Sequence, residues 1–310
     1  MKPIRIAIIG FGKIAADQHL PSISANPRFE LAATSSRSGQ GPQPAFTDWQ
    51  ELLRSVKDLD AVAITTPPRP RYDIARECAS AGLHCLLEKP PAATLAEIDD
   101  LTHLAEQQKV SLYTTWHARH HPAVEAAAAA LAGKRIVAFE ILWHEDVHKW
   151  HPGQQWVWDP GGFGVFDPGI NAFSIATRIF PGPLFVRQAD LSVPANGQTP
   201  IAAEVDFASP QADGRLHASL DWRKSEGEEW TIIARTADGQ EVRLTSGGAD
   251  LSIDGKPVAT PGDPGEYPDI YARFADLIDE RRSEVDIAPM RLVADCLLLG
   301  RTTRVDPITM

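Results

Sequence analysis

A glycine-rich segment directly after the first apolar strand constrains this chain more than any other feature. Residues 4–9 are predicted to form a buried parallel strand, and Gly10-Phe11-Gly12-Lys13-Ile14-Ala15 follows it and opens a helix. Gly10 allows a tight turn, Gly12 lets the backbone approach a pyrophosphate, and Ala15 is small enough for close helix–strand packing. The helix N-terminus offers free N–H groups to phosphates. The segment therefore predicts a dinucleotide-binding turn, with Lys13 and Ile14 as neighbouring cofactor contacts.

Strands and helices alternate regularly through the first third of the chain. Strands are predicted at 29–34, 60–65, 83–87 and 110–114, and helices at 12–25, 47–55, 71–81 and 94–108. Thr47 and Thr94 are candidate N-caps, and Gly82 is a candidate residue just past a helix end. This alternation predicts a doubly wound parallel sheet, the Rossmann arrangement.

The pattern changes after about residue 116, where strands begin to follow one another without intervening helices. A helix at 122–132 and a long strand at 135–147 precede strands at 186–193, 202–207, 216–222, 229–236 and 241–245, and helices at 267–282 and 289–301. We therefore expect an α/β chain with a Rossmann domain over 1–118. The remainder, 119–310, is expected to be an α+β domain with a large, mostly antiparallel, open-faced sheet, whose C-terminal helix is able to pack back on the first domain.

Charge and cysteine content narrow the expected partners. The formal net charge of −11 repels phosphate backbones, so no nucleic-acid partner is expected. The three cysteines form no CxxC pair, and no apolar stretch is long enough to span a bilayer, which predicts a cytoplasmic chain without a membrane partner. The histidines and acids of 144–151 match no standard zinc spacing, so no metal is expected. An exposed antiparallel sheet face favours a homo-oligomer, a dimer or tetramer, through the second domain.

The end of the second strand bears on cofactor preference. An acidic residue there would bind a ribose 2′-hydroxyl and repel a 2′-phosphate, but the chain has Ser35-Ser36-Arg37. Ser36 can donate to a 2′-phosphate and Arg37 can pair with it, which favours NADP, or use of both NADP and NAD. The alternative is that Arg37 is a solvated loop residue. Four further candidate cofactor contacts lie at or after later strands: Thr66, Pro67, Glu88 and His117.

A lysine follows the fourth strand, in the run Glu88-Lys89-Pro90-Pro91. Open parallel sheets bind ligands at the carboxyl ends of their strands, which is where Lys89 is expected to lie. Its ammonium could hydrogen-bond a hydroxyl group that is being oxidised. Lys89 is therefore the first candidate catalytic residue.

Several of these motifs together resemble one family. GFGKIA at 10–15, QHLP at 18–21, Thr65-Thr66-Pro67 and above all Glu88-Lys89-Pro90 resemble the glucose–fructose oxidoreductase/inositol dehydrogenase (Gfo/Idh/MocA) family. The resemblance implies an NAD(P)-dependent oxidoreductase in which Lys89 acts in catalysis. Residues 143–156, Gly161-Gly162 and 166–171 resemble the bacterial aldose 1-dehydrogenases of that family. That resemblance implies oxidation of D-galactose or L-arabinose at C1 to the lactone, with hydride transfer to nicotinamide.

A second group of candidates would bind the sugar. Asp167 and Asn171 are four residues apart, so on a helix they share one face, and a carboxylate beside an amide suits sugar hydroxyls. Many family members have histidine where this chain has Asn171, and asparagine cannot relay a proton. The base is therefore either Lys89 or Asp167, and the sequence leaves both open. Further candidate sugar contacts are Glu145, Trp150, His151, Trp230 and His120.

Other interpretations also remain open for this sequence. Asp167 and Asn171 could be no more than a helix N-terminal acid with a polar neighbour. The substrate could be another sugar or polyol, such as inositol. A different class would be a non-catalytic regulator that binds the dinucleotide and a partner protein, although the presence of Lys89 disfavours it.

Overall fold

The computed structural model describes residues 2–260, 262 and 265–309, which fall into two compact units. The first contains the described residues of Met1–His117 and Pro264–Ile287, and the second those of Ala118–Asp263 and Ala288–Met310. The described residues 265–287 are thus grouped with the first unit, although they follow most of the second unit in the chain.

The first unit is built on a parallel sheet of six strands in the order β3-β2-β1-β4-β5-β6. These strands are β1 (Ile4–Ile9), β2 (Phe29–Ser35), β3 (Ala45–Phe46), β4 (Ala61–Ile64), β5 (His84–Glu88) and β6 (Leu112–Thr115). The predicted Rossmann-type sheet is thereby confirmed, and β3 was not predicted. Because all six strands are parallel, their carboxyl ends meet at one edge of the sheet.

The helices of the first unit follow the predicted pattern with local differences. A π-helical turn, Ala15–His19, leads into α1 (Leu20–Ala25), and α2 (Trp49–Ser55), α3 (Pro68–Ser80) and α4 (Leu95–Gln108) follow. Thr94 caps α4 in a reciprocal capping box with Glu97, as expected from its position. Thr47 was the wrong N-cap for α2, because the side chain of Asp48 accepts the Gln50 N–H. Helix α3 begins three residues earlier than predicted, since proline suits the first turn.

The second unit contains a sheet of nine strands, mostly antiparallel as predicted, in the order β14-β13-β12-β11-β7-β10-β9-β8-β15. Its strands are β7 (Ile136–His144), β8 (Phe185–Pro194), β9 (Ala202–Ala208), β10 (Ala212–Asp221), β11 (Glu229–Thr236), β12 (Glu241–Thr245), β13 (Asp250–Ile253), β14 (Lys256–Pro257) and β15 (Arg301–Val305). Two neighbouring pairs are parallel, β7 with β10 and β8 with β15. Strands β13 to β15 were not predicted.

The remaining helices complete the second unit, except for one that belongs to the first. They are α5 (Pro122–Leu131), α6 (Val147–Trp150), α7 (Phe166–Ile179), α8 (Glu266–Glu280) and α9 (Ala288–Leu299), of which α8 lies in the first unit. Helix α7 is buried along most of its length, including its first-turn residue Asp167. Among the residues that the structure describes, no helix is long and apolar enough to cross a membrane.

Candidate functional site

The turn after β1 is held tightly by its own surroundings. Gly10 has φ +99°, and a Cβ placed there would come within 2.7 Å of the Thr66 amide nitrogen. The N–H groups of Gly10 and Phe11 both donate to the Ser35 carbonyl, at 2.9 and 2.7 Å, and the Thr65 hydroxyl donates to the Gly10 carbonyl at 2.7 Å. Glycine is therefore required at position 10 by the protein itself.

Gly12 differs from Gly10 because no protein neighbour requires it. A Cβ at Gly12 would have its nearest neighbour, the Gly10 carbonyl oxygen, at an ordinary contact distance of 3.7 Å. Its small size instead leaves open space beside the backbone, at the start of the helical segment. The neighbouring Lys13 is exposed and pairs with Asp17, and Ile14 is 38% exposed despite its large apolar side chain. These features fit a turn that a dinucleotide pyrophosphate could approach closely.

The candidates for cofactor preference lie after β2. The Ser36 hydroxyl donates to the Gln40 carbonyl at 2.9 Å, which ties it to its own loop. Arg37 is exposed and forms no ion pair with any described residue, so its guanidinium is available to an anion. After β4, Pro67 is exposed, and the buried Thr66 hydroxyl has no hydrogen-bond partner within the described chain.

Glu88, at the end of β5, is buried, and its carboxylate accepts three hydrogen bonds from the protein. Oε1 lies 3.0 Å from His19 Nε2 and 2.7 Å from the Tyr267 hydroxyl, and Oε2 accepts the Lys89 backbone N–H at 3.0 Å. Burial alone would raise the pKa of Glu88. The hydrogen bond and charge of His19, the charge of His117 and the hydrogen bond from Tyr267 together lower it to about 2.

Glu88 was predicted as a cofactor contact, and that role stays a prediction. Its carboxylate is engaged by protein donors and supports the strand end that carries Lys89. Lys89 itself is partly exposed. His117, another predicted cofactor contact, lies 3.0 Å from Glu266 Oε1 and stacks on the Tyr267 ring at 5.8 Å.

Two buried residues near this strand end were missed by the sequence reasoning. His19 is fully buried, with Nδ1 2.8 Å from the Tyr271 hydroxyl. Arg71 is 2% exposed, and its guanidinium donates to the carbonyl of Glu88 at 2.5 Å and to those of Pro90 and Thr66. The QHLP run could have drawn attention to His19. No local signal separates Arg71 from the exposed Arg69 on the same helix.

In the second unit, Asp167 and Asn171 lie one turn apart on α7, as predicted. Asp167 is 2% exposed, and its Oδ2 lies 3.3 Å from His151 Nε2. The His151 ring also packs against Trp222, with centroids 4.9 Å apart. Within the described residues, the buried Asn171 Oδ1 has no hydrogen-bond partner. This group combines a buried carboxylate, an imidazole and an unsatisfied amide oxygen, which suits the binding of hydroxyl groups.

The other predicted sugar contacts are partly engaged by the protein. Glu145 is buried and accepts the indole N–H groups of Trp222 and Trp230, each at 2.9 Å. Trp150, 44% exposed, donates its N–H to Glu228 at 2.6 Å. The indole N–H groups of Trp150 and Trp230 are therefore both bonded to carboxylates of the protein, and a sugar contact by either residue stays a prediction.

The last two features are His120, a predicted sugar contact, and the grouping of possible metal ligands. His120 ends a 3₁₀-helix, His117–His120, and is partly buried. Within the described ranges, no three or more His, Cys, Asp or Glu side chains are grouped so that they could hold a metal ion.

Known proteins resemble this chain along its whole length. Residues 4–115 match the family model GFO_IDH_MocA, described as an oxidoreductase family with an NAD-binding Rossmann fold. Over 309 residues the chain is 42% identical to galactose 1-dehydrogenase of Pseudomonas fluorescens, covering 99% of each protein.

Solved structures agree with this similarity. The crystal structure of a D-galactose-1-dehydrogenase protein from Rhizobium etli has 46% identity and a TM-score of 0.92, covering 100% of this chain and 99% of that one. KijD10, a 3-ketoreductase from Actinomadura kijaniata in complex with TDP-benzene and NADP, has 17% identity and a TM-score of 0.82, covering 98% of this chain and 100% of its own. At that identity the likeness shows the fold alone.

Proposed function

The chain belongs to the Gfo/Idh/MocA family of oxidoreductases, and we propose that it is an NAD(P)-dependent aldose 1-dehydrogenase acting on D-galactose, L-arabinose or both. The observation that carries the proposal is the position of Lys89 at the carboxyl edge of the sheet that also bears the Gly10–Gly12 turn. The full-length similarity to two galactose 1-dehydrogenases supports an aldose as substrate.

The dinucleotide would be held by the turn at Gly10 and Gly12 and would supply the hydride acceptor. Arg37, exposed and without an ion-pair partner in the described chain, supports NADP as the slightly favoured cofactor. Residues 35–37 of the same loop include no carboxylate that would repel a 2′-phosphate. The loop is also compatible with NAD.

In this reaction a side chain of the protein must remove the proton of the C1 hydroxyl group. As the C1–H bond of a cyclic aldose gives up its electron pair as hydride, the C1 hydroxyl must lose its proton so that the lactone carbonyl forms. Either the uncharged amine of Lys89 or the carboxylate of Asp167 would accept that proton. Asn171 and His151 would orient the sugar hydroxyls, with Asn171 Oδ1 as an acceptor that has no other partner in the described chain.

Two rounds of assays test this proposal. Reduction of NAD and NADP is followed by absorbance with D-galactose, L-arabinose, D-fucose, D-glucose, D-xylose and myo-inositol, and we expect the first two sugars to be preferred. Activity with myo-inositol alone would identify a polyol dehydrogenase. A folded protein that reduces neither cofactor with any of these substrates would support the regulator alternative.

Replacement of Lys89 then tests its role. Lys89→Met keeps the length of the stem without the ammonium, and kcat should fall by about 100-fold or more, the usual loss for a missing acid–base group. Cofactor affinity should stay close to that of the unsubstituted protein. Lys57→Met, at an exposed lysine after α2, is the matched control. Turnover near the control level would remove Lys89 from the mechanism.

A further inference from the structure

The main chain on both sides of Lys89 is held by buried, ionisable side chains. The carboxylate of Glu88 accepts the Lys89 N–H, and the guanidinium of Arg71 donates to the carbonyl before Lys89 and to the one after it, at Pro90. Three consecutive residues, 88 to 90, are thus fixed through their backbone. The Lys89 side chain projects from a segment that has little freedom to shift.

Arg71 also reaches a second loop of the same sheet edge. Its other terminal nitrogen donates to the Thr66 carbonyl, which lies after β4, while Glu88 and Pro90 lie at and after β5. The Thr66 amide lies against Gly10, where it leaves no room for a Cβ. Arg71 therefore links the segment that carries Lys89 to a residue that touches the glycine turn.

Packing alone does not account for an arginine at this position. Arg71 is 2% exposed, so its guanidinium has lost most of its hydration, which is costly unless its N–H groups are satisfied. An apolar side chain could fill the same volume beneath the loops without that cost. Only a planar group with several fixed donors can bind carbonyls from two separate loops at once.

We propose that Arg71 is a positioning residue for the oxidation step, which acts through Lys89 by fixing the backbone from Glu88 to Pro90. This inference rests on the proposed function, because it requires that Lys89 takes part in turnover. Without the guanidinium, three carbonyls lose their donor and the segment relaxes. A displacement of the ammonium by about 1 Å would lower kcat by roughly 100-fold.

The experiment is a double-mutant cycle on kcat. Arg71→Lys and Arg71→Met are each made alone and in combination with Lys89→Met, and Arg76→Met is the control. Arg76 lies on the same helix but is exposed and bonded to Asp100 of α4. Thermal midpoints and the dissociation constant for NADP report on folding and on the cofactor turn.

The expected result separates positioning from general stability. Arg71→Met should lower kcat by roughly 100-fold and Arg71→Lys by less, with the KM for the aldose changed by less than about 3-fold. In the Lys89→Met background the same substitutions should change kcat by no more than about 2-fold, because their target is absent. If Arg71→Met does not fold, Arg71→Lys carries the test.

Two other outcomes have different meanings. The positioning role of Arg71 would be overturned if its substitutions lowered kcat equally in the unsubstituted protein and in Lys89→Met. It would also be overturned if kcat were unchanged in both Arg71→Lys and Arg71→Met. Neither outcome would affect the role proposed for Lys89 in turnover. Full turnover in Lys89→Met would refute the proposed function of Lys89 itself, and with it the basis of this inference.

Discussion

The two glycines of the first turn should respond to the same substitution in opposite ways. An alanine at position 10 would have to adopt φ +99°. Its methyl group would lie 2.7 Å from the Thr66 backbone nitrogen, which is closer than Cβ atoms approach backbone atoms in proteins. Backbone strain and overpacking each cost about 1–3 kcal/mol. Gly10→Ala should therefore lower the free energy of unfolding by on the order of 3 kcal/mol, which corresponds to a fall in Tm of roughly 10 °C.

Gly12→Ala should leave the fold intact. The added Cβ would meet only the Gly10 carbonyl oxygen, at 3.7 Å, so no protein atom has to move. The smaller conformational freedom of alanine in the unfolded chain would even stabilise the protein by about 0.4–1 kcal/mol. The methyl group would instead fill the space through which a pyrophosphate approaches the backbone. The Kd for NADP and NAD should rise by at least about 10-fold, a loss of about 1.4 kcal/mol in binding free energy.

Thermal unfolding of both variants, with and without cofactor, and titration of tryptophan fluorescence with NADP measure the two effects separately. Added cofactor should raise the Tm of the unsubstituted protein much more than that of Gly12→Ala. Unchanged dinucleotide affinity in Gly12→Ala, or a loss of stability as large as that of Gly10→Ala, would contradict these different roles of the two glycines.

Three further predictions follow from individual contacts. Arg37→Ala should raise the KM for NADP by about 10-fold and leave the KM for NAD nearly unchanged, because only NADP carries the phosphate that the guanidinium would bind. Equal effects on both KM values would contradict a role of Arg37 in binding the 2′-phosphate. The folded-state pKa of Glu88 is lowered from 4.5 to about 2, so its stabilising contribution is present above the higher value and is lost as the pH falls towards the lower one. The difference in Tm between the unsubstituted protein and Glu88→Gln should therefore shrink over that range, and a constant difference would argue against an ionised Glu88. His151→Ala should raise the KM for the aldose by about 10-fold without altering NADP binding, and His148→Ala, at an exposed neighbour, serves as the control. The KM is measured by steady-state kinetics with D-galactose. An unchanged KM in His151→Ala would exclude His151 from sugar binding.

Local features were predicted well because they depend on residues close in the chain. Strand β1, the glycine turn and the N-cap at Thr94 follow from periodicity and from backbone rules that operate over a few residues. The same holds for Asp167 and Asn171, since their spacing of four already places them on one helix face. Strand β15 was missed because its exposed residues have no apolar periodicity and are ordered by pairing with β8.

The sequence by itself determined the Rossmann-type sheet, the glycine turn and the edge at which Lys89 lies, because periodicity, turn chemistry and parallel connections are local constraints. Tertiary structure decided what surrounds that lysine. Tyr267 reaches Glu88 from 179 positions along the chain, and Arg71 and His19 contact the same strand end from two different helical segments. Such contacts form only when distant segments pack together, so no pattern within a window of sequence could reveal that Glu88 supports the strand end or that Arg71 holds the backbone beside Lys89.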